Sequence, residues 1–331
     1  MKLLVSMQSE GNTFLPDAVK AYLEERFDVE YASEDVLMFG ETFRERIKDI
    51  DVMLTGWGHP IITYDMIKDS RVKIIAHTGG SVGSLVDLSL YDHGIRVLSG
   101  NDLYAESVAE GTIAYMLTGL RRIPYYVQDV KNGGWRGDGF FSEGLLDQTV
   151  GIVGLGTISR YLIKLLKVFR AKIKIYSSYP IDEEYLKENN ASQASLEEIF
   201  STCKIVSIHS AMNERTKGMI GKEHFDLLQD GALFINTARG AVIRENEMIE
   251  ALKENRFSAV LDVFCTEPLD ADSKLRSLEN VYCVPHMGGP TLDRRPVVTM
   301  RLADNILKIA NNEPAELEIS KVAASRMTVG G

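Results

Sequence analysis

The feature that most constrains this chain is an alternation: short runs rich in Val and Ile are separated by stretches of helical period, and the pattern occurs in two series. A short, wholly apolar run reads as a strand buried on both faces, and such strands joined through helices read as βαβ units of a parallel sheet. The first series predicts strands at Lys2 to Ser6, Asp28 to Tyr31, Asp51 to Thr55, Lys73 to His77 and Arg96 to Ser99, with helices over Leu15 to Arg26 and Glu41 to Lys48. The second predicts strands at Thr149 to Val153, Ala171 to Tyr176, Ile205 to Ile208, Ala232 to Asn236, Ser258 to Val263 and Val281 to Val284. Two sheets need two cores, and 331 residues exceed what one ordinary core accommodates. The fold class is therefore α/β, with two doubly wound parallel sheets.

Between the series lies a long helical pattern, Ala105 to Arg121, followed by the glycine-dense loop Asn132 to Gly139, which reads as a crossing or arm between domains. The segment Thr291 to Asn311 has helical period after the second sheet is complete, and its simplest packing returns it to the first domain.

The charge balance narrows the partners. With 47 acidic against 37 basic residues the formal charge is -10, and the basic pair Arg294-Arg295 is too short to make a patch for a phosphate backbone. Nucleic acid is thus not an expected partner. The opening residues turn polar at Gln8-Ser9-Glu10, leaving no apolar stretch that reads as a signal peptide or membrane span, so a cytoplasmic protein without membrane partners is expected. Cys203, Cys265 and Cys283 are far apart and the six histidines show no HExxH spacing, so neither a disulfide framework nor a metal site is expected.

A phosphate-cradling turn is legible at Gly151 to Arg160, GIVGLGTISR, which follows a strand pattern and opens a helical one. Gly154 and Gly156 let the chain turn tightly and bring backbone N–H groups, with those of Thr157 and Ile158, against a pyrophosphate at a helix N-terminus. Ser159 replaces the third glycine of GxGxxG, and two glycines alone fit an ordinary tight turn equally well. An NAD-preferring site carries an acid about twenty residues on, at the end of the second strand. That strand ends Tyr176-Ser177-Ser178-Tyr179-Pro180, with no acid before Asp182 and no arginine beside Ser177, so NAD and NADP both stay open, NAD slightly favoured.

Three later segments each end a predicted strand, where open α/β sheets place ligands. They are Asn236 to Gly240 (NTARG), Leu261 to Leu269 (LDVFCTEPL) and Val284 to Gly289 (VPHMGG), and together they supply a guanidinium at Arg239, a carboxylate at Glu267 and an imidazole at His286. Reducing a 2-keto acid calls for all three: a cation for the substrate carboxylate, a proton donor for the developing alkoxide, and an acid that favours the charged imidazole.

The ordered set GIVGLGTIS, VSIHSAMNERTKGMIG, LFINTARGAVI, LDVFCTEPL and VPHMGG resembles the D-isomer-specific 2-hydroxyacid dehydrogenase family over most of the chain. The resemblance implies two Rossmann-like domains, with an NAD(P)-binding domain, 102–289, inserted into a flavodoxin-like substrate domain, 1–101 with 290–331. It implies Arg239 as substrate-binding arginine, Glu267 as partner acid and His286 as general acid/base for hydride transfer between NAD(P)H and a small 2-keto or 2-hydroxy acid of D configuration. It places Val108-Ala109-Glu110 on the interdomain helix and Ser177, His209, Ser210, Ala211, Thr216, Thr237, Ala238, Asp262 and Gly288 along the cofactor; His209 fits a structural histidine equally well. Where the family carries a GxGxDxxD-like loop, this chain reads Gly79 to Asp87, and the backbone of Ser81, Val82 and Gly83 is expected to hold the substrate carboxylate, with Trp57 shaping the pocket. A homodimer through the nucleotide domain, using the arm Tyr125 to Phe141, is implied in the same way.

Two other classes use such a turn. A nicotinamide-sensing regulator or corepressor shares the fold, but the Arg239, Glu267 and His286 set favours chemistry. An adenosylmethionine-dependent methyltransferase shares the glycine-rich turn but gives that set no purpose.

Overall fold

The computed structural model describes residues 1–8, 12–32, 42–136 and 141–327. The chain divides into two compact units, Met1–Tyr104 with Pro290–Gly331, and Ala105–Gly289.

In the first unit, β1 (Lys2–Ser6), β2 (Asp28–Tyr31), β3 (Val52–Thr55), β4 (Ile74–His77) and β5 (Arg96–Ser99) form an all-parallel sheet in the order β2-β1-β3-β4-β5, the flavodoxin-like arrangement. Alternate residues face opposite sides, so each strand feeds two cores. Leu3, Val5, Leu54, Ala76 and Leu98 pack with Val19 and Leu23 of helix Asp17–Glu24 and with Val298, Leu302 and Ile306 of helix Arg295–Ala310. Leu4, Met53, Ile75 and Val97 pack on the other face with Phe43, Ile47, Ile67 and Leu90. The late helix thus lies on the first sheet, where its apolar stripe is covered. Of the predicted helix Glu41 to Lys48, Glu41 lies outside the described residues and Phe43–Arg46 is helical.

In the second unit, β6 (Thr149–Val153), β7 (Lys172–Tyr176), β8 (Ala191–Gln193), β9 (Ile205–Ile208), β10 (Leu233–Asn236), β11 (Ser258–Leu261) and β12 (Val281–Cys283) form a parallel sheet in the order β12-β11-β10-β9-β6-β7-β8. Strand β8 was not legible in the sequence: it is three residues at a sheet edge, two of them exposed, and so carries no apolar signal. The order reverses between β6 and β9, the switch point beyond whose carboxyl ends such sheets bind ligands. Helix Thr157–Val168 buries Ser159, Leu162, Ile163 and Leu166, a face of helical spacing laid on Val150, Ile152, Ile173 and Ile175.

The predicted long helix is Asn101–Leu120, and the left-handed Arg122 (φ +51°) turns the chain into a second helix, Ile123–Lys131. No residue of that second helix is buried, and Ile123, Tyr125, Val127 and Val130 are exposed. Gly137, Asp138 and Gly139 of the expected arm lie outside the described residues. Among the described residues, no helix is long and apolar enough to cross a membrane.

Candidate active site

Strand β6 ends at Val153, and the next residue can only be glycine. Gly154 has φ +101°, in the region L side chains avoid, and a Cβ there would fall 2.8 Å from the backbone N and Cα of Ser210. Ser210 follows β9 and donates its hydroxyl to Val153 O at 3.1 Å, so the two loops at the switch point are locked together. Two residues on, Gly156 N-caps helix Thr157–Val168; it brings no side chain to the first-turn N–H groups, and a Cβ would meet nothing within 4 Å. Ser159 is fully buried and donates to Gly154 O at 2.6 Å, so the serine in place of the third glycine ties the turn to the helix. A tight turn, an open flank and an uncapped helix N-terminus fit a dinucleotide pyrophosphate. Thr157 and Ile158 open this helix, as expected.

The remaining cofactor candidates lie at the ends of β7, β9, β10 and β11. Ser177 Oγ accepts from Tyr179 N at 3.2 Å. His209 is buried, with Nε2 2.8 Å from Ser207 Oγ and Nδ1 3.5 Å from Thr237 Oγ1, and burial pushes its imidazole down to about 4. Both ring nitrogens therefore face protein hydroxyls, an arrangement that fixes the loop. Thr216 donates to Ala211 O at 2.6 Å and accepts from Asn213 N at 2.9 Å, closing the loop from Ala211 to Thr216.

Arg239 is positioned by a residue the linear reading passed over. Asn236, the last of β10, accepts from Ala238 N at 3.0 Å and donates to Arg239 O at 3.1 Å, folding Thr237-Ala238-Arg239 into a clasp. Its Asx-turn chemistry at a strand end was the available signal. Arg239 Nη1 donates to Ala238 O at 2.7 Å, while its buried Nε has no hydrogen-bond partner among the described residues. Burial pulls this guanidinium below its ordinary value, and the nearby Glu267 carboxylate acts the other way.

Glu267 joins the second loop to the third. Its Oε1 accepts from Phe264 N at 2.9 Å and its Oε2 lies 2.6 Å from His286 Nδ1. Because a carboxylate accepts, Nδ1 carries the hydrogen in this pair. The His286 side chain is 48% exposed, so its other face meets solvent.

His286 has φ +48°, an uncommon conformation for a residue of its size. It is held on both sides: His286 N donates to Val284 O at 3.0 Å, and the buried Asp262 carboxylate accepts from Met287 N at 2.8 Å and Gly288 N at 3.0 Å. A Cβ at Gly288 would lie 2.7 Å from Asp262 Oδ2, so the loop closes on the carboxylate only with glycine there. Asp262 Oδ1 also accepts from Tyr115 OH at 3.1 Å. Nothing in the linear pattern marked Tyr115, which sits mid-helix some 147 residues from its partner.

In the first unit, Trp57 is 59% exposed, edge-on to Phe14 (5.0 Å) and Tyr104 (6.2 Å), with the Arg295 guanidinium 5.3 Å from its ring. The loop from Gly79 departs from expectation. Val82 is fully buried and its N–H points to Met327 Sδ at 3.5 Å, while Gly83 N–H donates to Ser81 Oγ at 3.2 Å. Two of the three backbone donors expected to cradle an anion are thus engaged inside the unit, because the loop folds onto its own core.

Comparison with known proteins agrees with this architecture. Residues 113–288 match the family model described as D-isomer specific 2-hydroxyacid dehydrogenase, NAD binding domain. The D-3-phosphoglycerate dehydrogenase of Methanocaldococcus jannaschii is 33% identical over 303 residues, 91% of this chain but 56% of that protein, so the chain spans little more than half of that relative's length. The glyoxylate reductase of Pyrococcus furiosus is 29% identical over 299 residues, 88% of each chain. A solved phosphoglycerate oxidoreductase from Rhizobium etli superposes with a TM-score of 0.82 over 98% of this chain and 99% of its own, at 19% identity, a likeness of fold. With a family model matched over more than half its length, the chain belongs to the D-isomer specific 2-hydroxyacid dehydrogenases.

Proposed function

We propose that this chain is an NAD(P)-dependent oxidoreductase acting on a small 2-keto or 2-hydroxy acid of D configuration, with His286 as acid/base, Glu267 as its partner and Arg239 as the substrate's cation. The observation that carries this reading is the His286–Glu267 pair at 2.6 Å beside a guanidinium whose buried Nε has no hydrogen-bond partner among the described residues. The glycine turn at Gly154 and Gly156 and the loops at Ser177, Ser210 and Thr237 hold the dinucleotide, which when bound supplies or takes the hydride.

With Nδ1 tied to Glu267, His286 is left with Nε2 for the substrate oxygen. In the reducing direction it donates this proton to the developing alkoxide, and in the oxidising direction it withdraws one from the hydroxyl. Glu267 keeps the ring oriented and its Nε2 aimed away from the pair, as a carboxylate partner does for a catalytic imidazole. Arg239 offers Nε and an adjacent Nη as a planar fork for the substrate carboxylate, the geometry that makes arginine unlike lysine.

The exposed apolar face of helix Ile123–Lys131 is assigned to a homodimer contact; sedimentation equilibrium giving a monomer at micromolar concentration would remove it. The catalytic reading is tested by following reduced-nicotinamide absorbance with a panel of 2-keto acids. His286→Ala should lower turnover by roughly 10²- to 10⁴-fold, the usual contribution of a positioned acid/base, with dinucleotide binding retained. Unchanged turnover would remove His286 from the mechanism.

A further inference from the structure

We propose that the ribose pocket at the end of β7 selects a dinucleotide bearing a 2′-phosphate, NADP(H), with Arg215 as the phosphate's guanidinium; the inference rests on the dehydrogenase reading above. In a nucleotide-binding sheet of this order, the second strand ends beside the adenosine ribose. A carboxylate there bonds the 2′-hydroxyl and repels a 2′-phosphate, and an arginine nearby does the opposite.

The carboxylate is missing here, and the nearest acid is committed elsewhere. Strand β7 runs into Ser177-Ser178-Tyr179, and Asp182 N-caps the helix Glu183–Glu188, its Oδ1 accepting from Tyr185 N at 2.9 Å. The intervening segment is pinned by Gln193, whose Oε1 accepts from Ile181 N at 3.1 Å and whose Nε2 donates to Tyr179 O at 3.3 Å. Asp182 therefore stays with its helix rather than swinging back to the strand end.

The arginine is supplied by a different loop, which is why reading along β7 found none. Arg215 lies 38 residues after Ser177 in the loop beyond β9, which an Asx turn shapes: Asn213 Oδ1 accepts from Arg215 N at 2.9 Å and from Thr216 N at 3.2 Å. This delivers the Arg215 side chain to the strand end, where Nη2 donates to Tyr179 OH at 3.1 Å and the guanidinium lies 5.9 Å from the Tyr179 ring. Tyr179 N in turn donates to Ser177 Oγ, so Arg215, Tyr179 and Ser177 are linked by consecutive contacts. Arg215 is exposed, and no carboxylate among the described residues comes within 4 Å of it. A second guanidinium, Arg160, from the helix that opens at the glycine turn, lies 4.6 Å from the Tyr185 ring. Two arginines rest on aromatic rings of the segment following β7, leaving guanidinium edges for an anion, beside serine hydroxyls that serve as further donors.

The test is equilibrium titration of the full chain with NADPH and NADH, followed by nicotinamide fluorescence, and calorimetric titration with adenosine 2′,5′-bisphosphate and adenosine 5′-monophosphate. A charge-assisted bond to the phosphate predicts that NADPH binds at least about tenfold more tightly than NADH, and that the bisphosphate exceeds the monophosphate similarly. Arg215→Ala should remove most of that preference with a much smaller effect on NADH, and Ser177→Asp, which restores the carboxylate, should invert it. NADH binding as tightly as NADPH, or an Arg215→Ala variant that weakens both equally, overturns the inference while leaving the dehydrogenase reading intact. Binding of neither dinucleotide overturns both.

Discussion

Asp262→Asn isolates what holds the His286 loop. The carboxylate accepts three hydrogen bonds, Met287 N and Tyr115 OH on Oδ1 and Gly288 N on Oδ2, and it is buried. An amide of the same shape has one accepting atom. With its oxygen in the Oδ1 position, its NH2 faces the Gly288 N–H across 3.0 Å; flipped, its NH2 faces the Met287 N–H across 2.8 Å. The tyrosine hydroxyl can rotate to accept, but a backbone N–H cannot, so either orientation leaves one donor against a donor. Losing a buried bond to a charged acceptor costs about 1.5–3 kcal/mol. For a unit of this size about 2 kcal/mol corresponds to a fall of about 4–8 °C in Tm. If the strained φ at His286 relaxes once the grip loosens, the same energy lowers the population of the observed loop, and with it turnover, by about 10- to 100-fold. Differential scanning calorimetry and the keto-acid assay read the two effects, and Tyr115→Phe, which removes one donor and leaves both backbone N–H groups on the carboxylate, should show a smaller version of both. An Asp262→Asn protein that melts and turns over like the wild type would refute the idea that this carboxylate holds the loop.

Arg239→Lys should reduce kcat/KM for keto acids by more than tenfold, roughly the value of one charged hydrogen bond, because an ammonium lacks the planar fork; full activity would contradict the carboxylate-binding role. Stability should also fall with acidity. Burial pushes His209 in the second unit and His77 in the first down to about 4, so both are neutral in the fold while the unfolded chain takes up protons below about 6.5. The folded pKa is depressed, so this stability is complete above the unfolded value and declines as pH drops toward the folded one. Each histidine accounts for about 2 kcal/mol between pH 7 and pH 5. Urea unfolding at those two pH values should show the decline, and His209→Gln should shrink it by that amount; an unaltered pH slope would refute the assignment.

The sequence by itself determined the two sheets, because a strand buried on both faces needs only a short apolar run, and that signal is local. It also located Gly154, Arg239, Glu267 and His286, each at or just beyond a strand end, where a chemically distinctive residue interrupts the apolar pattern. It did not reveal β8, whose edge position asks for no hydrophobicity, nor the engagement of Val82 and Gly83 N–H, which depends on a methionine from the far end of the chain and a neighbouring hydroxyl. The tertiary structure alone decided how the loops are held: Tyr115 reaching Asp262, and Arg215 arriving at Tyr179 from another strand's loop. These are contacts between side chains distant in sequence, created when parallel strands bring their carboxyl ends to one edge, and no pattern along the chain encodes which pairs will meet there.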